Sequence, residues 1–215
     1  MHYNSEKHRR RSIRLQGYDY SQPGAYFVTI CTRNKACLFG EVVDGDMVCN
    51  AYGHIVGEEW HRSSDIRREL QLDAFVAMPN HIHGIVILHG DDVGAHSRAP
   101  LRETPSHLWR SPKSLGSFIA GYKSAVTKRI NEIREAPGVS VWQRNYYEHI
   151  VRNETELNLI IREYIQANPL RWHLDRENLQ RVGRDEFDRW LEHYARPGAG
   201  DVGAHSRAPL LNKEK

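Results

Sequence analysis

The chain has 215 residues, 40% hydrophobic and 27% charged, which is the composition of an ordinary globular protein with room for one substantial core. No apolar run approaches the ~20 residues a membrane-spanning helix requires, and the basic start from Met1 to Arg14 has no apolar segment behind it, so neither a membrane span nor a secretory signal is expected and a cytoplasmic location is. A formal charge of +3 with pI near 8.8 is too mild to demand a nucleic-acid partner, and Cys31, Cys37 and Cys49, odd in number and without CxxC spacing, argue against both a disulfide framework and a zinc site.

Lys7, Arg9, Arg10, Arg11 and Arg14 face only Glu6 in a basic N-terminal segment, residues 1–22, that suits either phosphates or a solvated tail. Ala25 to Thr32 is β-branched and aromatic behind Pro23 and Gly24, a strand signal, and a weaker strand is expected from Gly40 to Val48. Ala51 to Arg68 reads as a helix from its length and its glutamates, with Ile55, Trp60 and Ile66 as a sparse apolar stripe. Leu70 to Met78 alternates in hydropathy and stops at Pro79-Asn80, after which His81 to Leu88 resumes as an apolar strand, so the two are expected to be neighbours. Residues 89–112 carry no periodicity and read as a loop insertion.

Lys113 to Arg134 is the clearest helix, with Leu115, Phe118, Ile119, Tyr122, Val126, Ile130 and Ile133 at spacings of three and four. Its polar face includes Lys123, Lys128 and Arg134. Pro137-Gly138 ends it; a strand-like stretch follows from Val139 to Val151, then a helix from Glu154 to Asn168 closed by Pro169, and a last helix from Asp185 to Tyr194. This order of elements fits an α+β fold, a ferredoxin-like antiparallel sheet with helices packed on one face.

DVGAHSRAPL occurs twice, identically, at Asp92–Leu101 and Asp201–Leu210. Two aperiodic, Gly- and Pro-containing copies cannot both be core elements of one small fold. A short DNA repeat inserted twice in frame explains them, a duplicated linker is the alternative, and His96 and His205 within them are discounted as ligands.

Two stretches carry chemistry. In MPNHIHGIVIL the period of two puts His81 and His83 on one face of a strand, close enough for both imidazoles to hold one metal ion, although a surface pair has the same spacing. Ile82, Val86 and Leu88 on one side and Ile85 and Ile87 on the other make this an inner strand, with the histidines at its start, where a site can form. In ETELNLIIREYIQANP a helical wheel gathers Leu157, Ile160, Ile161, Tyr164 and Asn168 on one narrow face. A carboxamide there needs partners, and a metal is one. The alternative makes Asn168 a helix-terminal residue and Tyr164 a core aromatic.

PNHIHGIV, WQRNYYEHIVRN and YIQANP, in this order and spacing, resemble the tyrosine transposases of the HUH class, and within it the REP-associated tyrosine transposase group. The resemblance runs from about Arg10 to about Leu174. It implies a domain over residues 23–174 and a C-terminal extension over 175–215 that departs from the pattern. It further implies Mg²⁺ or Mn²⁺ held by His81, His83 and Asn168, with Tyr164 as the nucleophile that cuts and rejoins single-stranded DNA beside REP-like palindromic hairpins through a 5′-phosphotyrosine. By the same resemblance Arg9, Arg10, Arg11, Arg14, Lys123 and Lys128 contact DNA, the protein acts at the prokaryotic nucleoid, and it is a monomer or a homodimer. A hairpin-binding protein that has lost catalysis is the competing reading. Trp142, Tyr146 and Tyr147 suit either base stacking or the core.

Overall fold

The computed structural model describes residues 19–90 and 112–194. Arg9, Arg10, Arg11 and Arg14, most of the loop insertion and both repeat copies lie outside them. Strands β1 (Gly24–Cys31), β4 (Leu70–Met78), β5 (His81–Leu88) and β6 (Tyr147–Val151) form one sheet in the order β4-β5-β1-β6, every pair antiparallel. Helix α1 (Ala51–Ile66) lies between β1 and β4 in sequence and α2 (Leu115–Ile133) between β5 and β6, which is the ferredoxin-like arrangement. The α+β class read from the sequence is the one observed.

The expected strand over Gly40–Val48 is a separate hairpin, β2 (Gly40–Val43) and β3 (Asp46–Cys49), that pairs only with itself. Asp44 (φ 52°) and Gly45 (φ 88°) both adopt left-handed backbone at its tip, the conformation that a two-residue turn demands and that Asp-Gly favours. The strand-like stretch Val139–Val151 narrows to β6, with one isolated bridge, Thr32 to Trp142, ahead of it.

Side-chain alternation along the inner strands divides two cores. Tyr26, Val28 and Ile30 of β1 and Ile82, Val86 and Leu88 of β5 turn toward α1 and α2, where they meet Val56, Trp60, Phe118, Ile119 and Val126. Trp142 belongs to this core and Tyr146 packs against it. Both helices start on side-chain caps: Asn50 Oδ1 accepts from the backbone N–H of Tyr52 and Gly53, and Ser114 accepts from that of Ser117. All the apolar positions expected to face inward on α2 are buried except Ile133, which is 56% exposed in the last turn.

The opposite face of the sheet is covered too, by chain that follows β6. A π-helical segment, Glu156–Arg162, runs into α3 (Glu163–Ala167), and α4 (Glu186–Tyr194) follows a series of turns. Phe27, Ile85 and Ile87 of the sheet meet Ile161, Tyr164, Ile165 and Phe187 there. Helices therefore sit on both faces: the two crossover helices share one, as expected, and the Tyr164 helix has the other. The expected boundary at residue 174 falls inside this layer, because Asp175, Glu177, Asp185 and Asp188 are all buried in it.

Gly84 marks the tightest approach in the first core. A Cβ there would stand 2.4 Å from Trp60 Cζ2, and Trp60 is held by Phe75, Phe118 and Tyr122 at ring separations of 4.9 to 5.6 Å. Gly84→Ala is expected to lower the unfolding free energy by about 1–3 kcal/mol through overpacking. Urea unfolding followed by tryptophan fluorescence checks this, and an unchanged midpoint would contradict it.

Candidate metal centre and nucleophile

β5 delivers both histidines to the second face. His81 and His83 alternate with Ile82 and Gly84, which point into the first core, so the imidazoles join Ile85 and Ile87 on the side where α3 docks. His81 is wholly buried and His83 is 2% exposed. Their Nε2 atoms lie 3.0 Å apart.

The far ring nitrogens are fixed by neighbours. Asn80 donates through Nδ2 to the carbonyls of Lys35 and Glu177, so its Oδ1 is an acceptor and receives the Nδ1–H of His81 at 2.8 Å. That bond selects the tautomer whose Nε2 carries a lone pair aimed into the site. His83 Nδ1 is 2.9 Å from Thr29 Oγ1, contributed by the paired strand β1.

The tyrosine helix brings the remaining groups. The Tyr164 hydroxyl lies 3.5 Å from His83 Nε2 and donates to Asp175 Oδ2 at 3.4 Å. Asn168, one turn on, donates through Nδ2 to the same carboxylate oxygen at 2.8 Å, while its Oδ1 is buried with no hydrogen-bond partner among the described residues. Asp175 Oδ2 is 3.8 Å from each histidine Nε2. The four residues expected at the site, His81, His83, Tyr164 and Asn168, are thus brought together.

Asp175 is the addition. It sits in the aperiodic turns after Pro169, and no spacing relates it to the histidines. His81, His83 and Asp175 offer ligand atoms within 4.8 Å of one another. Donors that share an ion at about 2.1 Å stand roughly 3–4 Å apart, so these separations fit a divalent cation. The orphaned Asn168 oxygen fits one as well, since a carboxamide oxygen ligates and a buried acceptor without a partner is costly.

Charge in the pocket is arranged for a cation. Burial pushes His81 down to about 3, with the His83 ring adding to it. Burial alone would raise the Asp175 carboxyl, but the two imidazoles and the Asn168 amide hold it below the usual carboxylate range. Burial raises the Tyr164 phenol well above its ordinary value, and Asp175, Asp188 and Asp185 push the same way, while Arg176 opposes them.

The other expected contacts are dispersed. Lys123 and Lys128 lie on α2, which covers the opposite face. Lys123 donates to the carbonyls of Gln143 and Arg144, and Lys128 stands exposed 3.9 Å from Glu132. Tyr147 packs at the edge of the second core with its ring under Arg176.

No protein-family model matches the chain. Over 175 residues, 80% of this chain and 95% of the relative, it is 40% identical to an uncharacterized protein of Haemophilus influenzae. The chain belongs to the family of that Haemophilus protein. This family member is also similar to two solved structures. One is a REP-associated tyrosine transposase bound to a REP hairpin, at a TM-score of 0.47 and 16% identity, covering 90% of this chain and 98% of that one. The other is a putative transposase of Deinococcus radiodurans, at a TM-score of 0.36 and 16% identity, covering 71% of this chain and 95% of that one. Among the described residues of this family member, no helix is long and apolar enough to cross a membrane.

Acid sensitivity follows from the buried imidazole. Its folded value of about 3 lies below the unfolded value of about 6.5, so between the two the unfolded chain binds more protons and stability rises with pH. The contribution is whole above pH ~6.5 and is lost as pH falls toward 3. In metal-free buffer, urea titrations are expected to show a slope approaching about 1.4 kcal/mol per pH unit from this one site. His81→Gln should flatten the slope, and an equal slope in the variant would contradict the assignment.

Proposed function

We propose that the protein is a metal-dependent transesterase of single-stranded DNA, cleaving and rejoining strands beside palindromic hairpins with Tyr164 as the nucleophile. The observation that carries this reading is the convergence of a tyrosine hydroxyl, two imidazole Nε2 atoms and a carboxamide whose oxygen has no partner among the described residues around one buried carboxylate. A buried core tyrosine needs none of the other three. The motifs PNHIHGIV and YIQANP, which resemble those of HUH tyrosine transposases, contribute these same residues.

Mg²⁺ or Mn²⁺ is the cation this donor set suits, held by His81, His83, Asn168 and Asp175. Two imidazoles favour Mn²⁺ of the pair. When bound, the ion neutralises a non-bridging phosphate oxygen and eases ionisation of the nearby phenol.

The protein's own residues do the rest. Thr29 and Asn80 fix the imidazole rings, and Phe187, stacked on Tyr164 at 3.7 Å and 17°, fixes the plane of the phenol. Asp175 Oδ2 accepts the phenolic proton's hydrogen bond and orients the oxygen. In-line attack forms the Tyr164 O–P bond and breaks the P–O3′ bond; the phenol gives up its proton to solvent water, and the departing 3′ oxygen takes one up from solvent and leaves as a hydroxyl. The phosphotyrosine keeps the bond energy, so a 3′-OH can later reverse the step.

One copy of the chain supplies every part. Arg162 forms an ion pair with Asp73 of β4 through both carboxylate oxygens, which fastens the π-helical segment ahead of Tyr164 to its own sheet. This contact supports a tyrosine that acts in cis, in a monomer.

A 3′-labelled DNA hairpin with single-stranded flanks, incubated with Mn²⁺, is expected to give a labelled covalent protein–DNA adduct that Tyr164→Phe abolishes and EDTA prevents. Absence of an adduct on hairpins that the protein binds leaves a hairpin-binding protein and refutes the catalytic reading. In calorimetric titrations Asn168→Ala should weaken Mn²⁺ binding about tenfold or more, whereas unchanged affinity would remove Asn168 from the ligand set.

A further inference from the structure

We propose that Arg176 is the side chain that grips the scissile phosphate beside Tyr164, a role that rests on the transesterification reading above. Arg176 directly follows Asp175, whose Oδ2 meets the Tyr164 hydroxyl, so its backbone is fixed at the edge of the metal centre. Two contacts then hold the guanidinium in place. Its Cζ lies 5.3 Å above the centre of the Tyr147 ring, and its Nε donates to Glu177 Oε1 at 3.1 Å. Tyr147 and Tyr164 both pack edge-on against Phe27, each with ring centres 6.3 Å from it, so the Arg176 platform and the nucleophile share one aromatic support.

What distinguishes Arg176 is the part left over. Three neighbouring cations are engaged through their terminal nitrogens: Lys35 with Glu177 at 3.0 Å, Arg181 with Asp188 at 3.3 Å and Arg171 with Asp185 at 3.7 Å. Apart from its stacking on Tyr147, Arg176 makes its side-chain contact through Nε, and among the described residues neither Nη group has a hydrogen-bond partner. Its side chain is 35% exposed, while that of Asp175 is wholly closed off, so the charge reaches from the buried centre to the solvent side. A planar pair of N–H groups is the fork that fits two phosphate oxygens.

The surroundings give such a cation a task. Asp175, Glu177, Asp185 and Asp188 are buried together here, and burial raises Asp188 to about 6 with Arg176 opposing the rise. An incoming phosphodiester carries two non-bridging oxygens into this acidic pocket, and a cation held by His81, His83 and Asn168 would neutralise only one of them. Arg176 meets the other oxygen. In the transfer step it neither gains nor loses a proton: the Tyr164 O–P bond forms, the P–O3′ bond breaks, and the guanidinium carries no covalent change.

The test has two arms. In a Tyr164→Phe background, binding of a fluorescein-labelled DNA hairpin with single-stranded flanks is measured against KCl concentration. Adding Arg176→Gln is expected to reduce the slope of log K against log salt by about 0.7, the loss of one phosphate contact. With Tyr164 present, Arg176→Gln is expected to slow adduct formation about 100-fold, and Arg176→Lys to restore part of the rate. The difference between wild type and Arg176→Gln should vanish on a substrate whose scissile phosphate is a neutral methylphosphonate, a result that a merely structural role would not produce. An unchanged salt slope together with an unchanged rate overturns the proposal, and so does an equal rate loss on the methylphosphonate. Should wild type form no adduct on any hairpin, the catalytic reading fails and the salt slope alone decides for or against Arg176.

Discussion

Phe27, wholly buried in the middle of β1, touches nearly everything the site needs. Its ring lies 5.3 Å from that of His83, 5.7 Å from Phe187 and 6.3 Å from both Tyr147 and Tyr164. Because β1 pairs with β5 on one side and β6 on the other, a side chain at this position reaches His83, the Tyr164 helix and α4 together. Docking of the helix on this face is what brings the Tyr164 hydroxyl and the Asn168 carboxamide to the two histidines and Asp175. Burying each of Phe27, Ile161 and Ile165 contributes roughly 1.5–3 kcal/mol to that docking, and the Arg162–Asp73 pair sets its register along β4.

The same docking gathers a donor set that a cation would complete. Closing the face buries Asp175 against the histidines and leaves the Asn168 oxygen without a partner among the described residues. An apolar seam would have been cheaper for stability, since buried ionic groups rarely return their desolvation cost. Their presence at one point, beside a phenol that burial holds in its neutral form, is the arrangement from which the proposed chemistry is argued. The C-terminal turns are part of this arrangement. Asp175 enters the centre, Glu177 anchors Lys35 and Arg176, and Phe187 covers the phenol.

How much of this the sequence disclosed depended on period. Strand alternation at residues 81–88 showed both the inner position of β5 and the shared face of His81 and His83, because a period of two survives in any sheet. The helical wheel placed Tyr164 and Asn168 correctly, since four residues separate them within α3 and the turn before Pro169. It omitted Ile165, which is wholly buried. The π-helical turns over Glu156–Arg162 add residues per turn and shift the inward face relative to a 3.6-residue wheel. The side chain of Ile160 lies outside those described. Asp175, Thr29 and Arg176 were invisible for another reason: their roles follow from strand register and from non-repetitive turns, which hydropathy does not encode. The hairpin at residues 40–49 was legible in principle, since Asp44-Gly45 is a turn signal inside the stretch read as one strand.

Anomalous diffraction from crystals grown with Mn²⁺ tests the central claim most directly, namely that the sheet histidines and the tyrosine helix build one metal centre. The account predicts a single strong anomalous peak within bonding distance of His81 Nε2, His83 Nε2 and the Asn168 carboxamide oxygen, with the Tyr164 hydroxyl facing it. A fully occupied ion elsewhere on the chain, with none between the histidines and Asn168, would contradict it.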